Sequence, residues 1–167
     1  MFELKPMSPG GIPAALAKVE RYRLLNEPRE AESICLDVLD VEPDNQQALV
    51  MLLLARTDQF QHGPPDIVVR AQGVLRRLHG EYERAYYGGI ICERRAKAIM
   101  MAGAPGFGGM AYEWLREAMG WFEKAEALRA PGNDDAVLRW NTCARLLNEH
   151  PHVKPRIEDT PELLLLE

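Results

Sequence analysis

The chain has 167 residues, 47% of them hydrophobic and 27% charged, which is ordinary usage for one domain with a real core. Its formal net charge of −5 argues against general nucleic-acid affinity, because that needs a cationic surface to release counterions. No apolar signal core or membrane-length run interrupts the sequence, so a cytoplasmic location without a membrane partner is expected. Cys35, Cys92 and Cys143 are odd in number, far apart and each set in an apolar helical pattern, which predicts reduced core thiols.

In chain order, residues 1–11 carry Glu3, Lys5, two prolines and two glycines and read as a flexible lead. Helices are predicted over residues 12–25, 28–41, 44–59, 65–78, 81–101, 110–129 and 133–149, with no run alternating strictly enough for a strand. Asn26-Glu27-Pro28 breaks the first helix pair, His62-Gly63-Pro64-Pro65 the second, and the glycine-rich run from Gly103 the third. The second helix is the most explicit. Ala31, Ile34, Cys35, Val38 and Val41 share one face, while Glu32, Asp37 and Asp40 point away. Pro43 then stops the helix, since it lacks an N–H and clashes with the preceding turn, and Asp44 or Asn45 can cap the next one. The last helix offers Val137, Trp140, Ala144 and Leu147 as a face to cover the end of the array. Residues 150–167 read as a tail with an apolar end.

The second helix has an echo. Aligning Ala31 with Ala118 brings Ile34 to Trp121, Cys35 to Phe122, Val38 to Ala125 and Val41 to Leu128. One residue of slippage then brings Pro43 to Pro131, Asn45 to Asn133 and Ala48 to Ala136. These residues resemble the tetratricopeptide-repeat family, in which Ala31, Cys35, Val38 and Pro43 occupy the small, aromatic-or-aliphatic, small and proline positions of a repeat's second helix. Tyr22 falls at its first-helix tyrosine, and Lys18 stands where the family has leucine. The offset of 87 to 88 residues exceeds two periods of roughly 34 by about nineteen. The additions are placed around residues 59–65 and 101–109.

The resemblance implies an all-α fold of about seven helices, stacked as antiparallel pairs in a short right-handed superhelix with a C-terminal capping helix. It also implies a concave peptide-binding groove lined by Leu16, Glu20 and Arg23, then by Val50, Met51 and Leu54. With Gly89 at the small position of the third repeat, Tyr86, Tyr87, Ile90, Glu93 and Arg94 complete the groove. The lysines and asparagines with which one subgroup clamps a terminal carboxylate are missing, because Leu16, Glu20 and Leu54 hold those places. The expected function is therefore a non-enzymatic protein-interaction scaffold for a peptide or partner helix. A small bacterial secretion chaperone is a variant of that reading, suggested by acidity, length and repeat class.

Other chemistries have thinner support. Gly103 and Gly108 match the spacing of a phosphate-binding loop, but Gly109 and Met110 stand where lysine and a hydroxyl are needed. The bland expectation is a long flexible link, with Phe107 folding back onto the bundle; a ligand-binding protein or enzyme using residues 103–109 is the alternative. Arg76-Arg77 and Arg94-Arg95 read as solvated helix faces, and His150 and His152 as part of a polar tail without metal-ligand company. No cofactor or metal is expected. Leu163, Leu164, Leu165 and Leu166 form an apolar run that should dock in this chain's groove, in a second copy or on a partner, or else complete the core as a short helix.

Overall fold

A computed structural model describes residues 2–156, and among them every regular element is helical. A 3₁₀ turn, Pro9–Gly11, leads into α1 (Ile12–Leu24), α2 (Pro28–Val41), α3 (Gln46–Thr57) and α4 (Ile67–Leu75). They are followed by α5 (Glu81–Ala102), α6 (Phe107–Leu128) and α7 (Asp135–Glu149). The local chemistry accounts for the boundaries. Pro28 opens α2, where its missing N–H costs no helical bond. Asn45 caps α3, its side-chain oxygen accepting from the Ala48 N–H at 2.9 Å. Gly103 ends α5 at φ 61°, the left-handed conformation that a glycine adopts without steric cost.

Each helix packs on the next, and α3 also touches α1 and α5. Thus α1, α3 and α5 stand side by side, with α2 packed against α1 and α3, α4 against α3 and α5, and α6 against α5 and α7. Two apolar clusters result. One gathers Leu16, Val19, Cys35, Val38, Leu49, Leu52 and Leu53 with the buried side of α4. The other is built on Leu115, Met119 and Phe122 with Ile90, Ile99 and Cys143. Leu54 and Tyr87 are half-buried against both.

The internal echo is also an echo of environment. Ala31, Cys35, Val38 and Ala48 are fully buried, and so are Ala118, Phe122, Ala125 and Ala136. Ile34 and Trp121 are half-buried in both copies. The match lapses at the end of the stripe, where Leu128 is exposed and Val41 is not. The surplus residues between the copies do not lie in residues 101–109 as a loop. They lengthen the helices: α5 and α6 have 22 residues each, against 13 and 14 in α1 and α2. Close approach of this long pair depends on Gly88 and Gly89. A Cβ on Gly89 would lie 2.4 Å from the Phe122 ring, and one on Gly88 would lie 3.2 Å from Trp121.

Several expectations are corrected by packing that lies far off in sequence. The glycine-rich link is only the turn at residues 103–106; Gly108 and Gly109 are inside α6. A Cβ on Gly108 would sit 2.3 Å from the His152 carbonyl oxygen, and Gly109 lies under the Arg156 side chain, so both glycines admit the segment after α7. Glu32 does not face away from the array, because Arg56 at 2.9 Å and Gln59 at 2.7 Å draw it onto α3. In α7 the fully buried residues are Ala136 and Cys143; Trp140, Ala144 and Leu147 are half-buried against the second cluster, as the expected face has them, while Val137 is half-buried without joining that cluster. Met7, in the expected flexible lead, packs against the first cluster.

Candidate binding groove

Between α1 and α3 lies an open trough of about 540 Å³, walled by Glu20 and Arg23 from α1 and by Gln46, Gln47, Val50, Met51 and Leu54 from α3. The helical period explains this wall, since Gln47, Val50, Met51 and Leu54 recur at three- and four-residue steps along one side of α3. The opposite side, Ala48, Leu49, Leu52 and Ala55, is core. The trough therefore combines an apolar strip with a charged edge and an amide end.

The charged edge is a built network. Arg23 Nε donates to Asp58 Oδ2 at 2.8 Å, and Arg94 reaches the other Asp58 oxygen and Thr57 Oγ1, the latter at 3.1 Å. These three side chains are 22%, 25% and 20% exposed in the order Arg23, Arg94, Asp58, so the pairs are partly shielded from water. Burial, together with the guanidiniums of Arg23 and Arg139, lowers the Arg94 pKa to about 10, which still leaves it cationic at neutral pH. Next along α5, the fully buried Glu93 accepts from Lys97 and from Arg139 of α7 at 3.4 Å. Its second oxygen is buried with no hydrogen-bond partner among the described residues. Arg23 and Arg94 thus share the single carboxylate of Asp58, and Glu20 of the same trough edge also acts on Arg23.

Aromatic residues continue the surface along α5. Tyr82 and Tyr86 stack with centroids 5.9 Å apart, and Tyr86 meets Tyr87 edge-on at 5.2 Å. Asn133, the echo of the capping Asn45, fixes the row by donating to Tyr82 Oη at 2.9 Å. Burial raises the Tyr82 and Tyr87 phenols above their ordinary pKa, so both are neutral donors at pH 7.

Of the groove residues expected from sequence, Glu20, Arg23, Val50, Met51 and Leu54 meet in the trough. Tyr86, Tyr87 and Arg94 line the neighbouring stretch of α5 and are half-buried. Leu16, Ile90 and Glu93 are buried, so they support the wall from behind and cannot be touched by a ligand. Leu16 is drawn into the first cluster by α2 and α3, and Ile90 and Glu93 are buried because α5 is packed by α3, α4 and α6 together, leaving it only a narrow free strip. Arg94 is also not the solvated arginine expected, being held by Asp58. Leu163, Leu164, Leu165 and Leu166 lie outside the described residues. Sequence reasoning missed Gln46, Gln47, Asp58 and Arg139. Asp58 had a signal, one turn beyond Leu54 on the same helix side; Arg139 is what the 88-residue offset gives from Met51.

The cysteines lie in the core. Cys35, Cys92 and Cys143 are free and buried, and burial pushes each thiol up to about 12. Gly108 and Gly109 are covered by the segment after α7 and cannot cradle a phosphate. Among the described residues no three His, Cys, Asp or Glu side chains are grouped for a metal, and no helix is long and apolar enough to cross a membrane. Compared with protein-family models, curated proteins and solved structures, the chain matches none.

Proposed function

We propose that this protein is a non-enzymatic interaction module of tetratricopeptide type, in which α1, α3 and α5 hold an extended or helical peptide along their exposed face while α7 covers the last pair. The observation that carries the reading is the trough itself, an open apolar strip of Val50, Met51 and Leu54 edged by Glu20 and Arg23, formed by five residues that the repeat register selects. A groove of this shape suits a segment with apolar side chains at helical or strand spacing for the strip. Arg23 and Arg94, which share the one carboxylate of Asp58, favour an acidic residue beside them, chiefly through steering and register.

The test is selection of peptides from a random displayed library on the wild-type protein, with Met51→Glu and Leu36→Glu as comparison baits. Leu36 is exposed on α2, away from the trough, whereas Met51 is half-buried in it, so each variant adds one carboxylate, and thermal melts check that both stay folded. Acidic-apolar peptides that survive Leu36→Glu and are lost with Met51→Glu support the groove. Equal recovery by all three baits, or no enrichment at all, refutes it.

A further inference from the structure

A second apolar surface lies apart from the trough. Where α5 ends and α6 begins, beside the end of α7, a hollow of about 360 Å³ is walled by Met100, Met101, Phe107 and Leu146, with Lys97 and His152 on its rim. Met101 is 68% exposed, a large apolar side chain with no cover among the described residues. The chain passes this hollow as it leaves α7. The His152 ring stands edge-on to Phe107 at 5.4 Å, and Val153 is buried in the second cluster. Arg156 then lies against Gly109 and 3.9 Å from Glu113.

We propose that Leu163, Leu164, Leu165 and Leu166 of the same chain seat in this hollow. Reach permits it: the seven residues from Arg156 to Leu163 span up to about 25 Å when extended, ample for a reversal back across the start of α6. Pro161, a residue type whose fixed φ favours turns, stands two residues before Leu163. The chemistry also matches. Four leucines without an intervening charge meet walls of methionine, phenylalanine and leucine, and methionine adapts its shape to branched partners. Glu158, Asp159, Glu162 and Glu167 flank the leucines with no basic residue after Arg156. Among the described residues the lining of the hollow carries no carboxylate, only Lys97, itself paired with Glu93, and His150 and His152 as its polar groups. The trough is the poorer host by place, because the tail leaves from α7, which packs on α6, whereas the trough is walled by α1 and α3.

The methionines are natural reporters, since Met100 and Met101 line the hollow, Met51 the trough and Met119 the core. The full chain labelled with ¹³C-methyl methionine is compared with the full-length double variant Leu164→Glu plus Leu165→Glu. The proposal expects resolved shifts at Met100 and Met101 alone, identical at high and low protein concentration. Unchanged Met100 and Met101 resonances overturn it. So does a shift at Met51, which would put the tail in the trough, or at Met119, which would make it part of the core. A Met100 and Met101 shift that fades on dilution overturns it in favour of a second copy.

Discussion

Replacing Gly89 by alanine should destabilise the protein, although the same change in an open helical site stabilises it. The new Cβ would lie 2.4, 2.7 and 2.8 Å from three atoms of the Phe122 ring. Phe122 is fully buried and its ring also lies 6.0 Å from Tyr86, so it has no free space to turn into. Alanine gains about 0.5–1 kcal/mol of helix propensity over glycine. Overpacking a filled core costs about 1–3 kcal/mol, and a contact this short against a fixed ring belongs at the upper end. The net loss is therefore about 2 kcal/mol, a fall in Tm of about 4–8 °C for a chain of this size. Gly120→Ala on α6 is the matched control, because nothing lies within 4 Å of its Cβ position and the residue is exposed. It should raise stability by about 0.5–1 kcal/mol. Urea and thermal melts of the two variants beside wild type decide the matter. A Gly89→Ala protein as stable as Gly120→Ala would mean that α5 and α6 do not approach as described, and the third-repeat register built on Gly89 would fall with them.

Further outcomes can be stated for the network, the thiols and the covered glycines. Asp58→Asn should cost about 2–4 kcal/mol, more than Arg23→Gln, because it leaves two partly buried guanidiniums without an anion; equal losses in chemical melts would deny Asp58 its bridging place. Each buried thiol has its folded pKa raised from 9 to about 12, so the stability it contributes is whole below pH 9 and is lost as pH climbs toward 12. Urea midpoints should decline across that window, and less steeply in Cys143→Ala; parallel slopes would contradict the burial of that thiol. Gly108→Ala should push the His152 carbonyl off α6 and speed proteolysis within residues 150–156. Cleavage no faster than wild type would show that the segment is not seated there.

Much of the helical layout was legible because the chain is heavily punctuated. Pro28, Pro43, Asn45 and Gly103 act within one turn of themselves, and α2 begins and ends where the pattern predicts. The buried stripe Ala31, Cys35 and Val38 was equally local, and its copy at Ala118, Phe122 and Ala125 was found by comparing the chain with itself. The failures share a cause. Glycines at 108 and 109 look like breakers when read locally, whereas they are helical residues thinned to admit residues 152–156. Glu32 looks like a solvent residue until Arg56 is folded over it. In the groove, α3 was read well because, although four helices contact it, Gln47, Val50, Met51 and Leu54 keep one strip free, while Ile90 and Glu93 were misplaced because the long contact of α5 with α6 and α7 takes up the side they occupy. Periodicity tells which residues share a face but not how many faces a helix must bury.

The two apolar clusters meet through few shared side chains, and α5 belongs to both, giving Ile91 and Ala98 to one and Ile90, Cys92, Ala96 and Ile99 to the other. Contacts between successive helices dominate, so little loop-closure entropy opposes folding, and the chain belongs among fast folders of low contact order. Its unfolding need not be a single event. Either half can open while the other stays formed about α5, so amide exchange should be slowest in the middle of that helix and faster toward α1 and α7. The surface that joins α3 to α5 is the seam of this division. A segment bound across it would draw two cooperative units into one, and ligand occupancy would be read as much in the exchange of distant amides as at the site of contact.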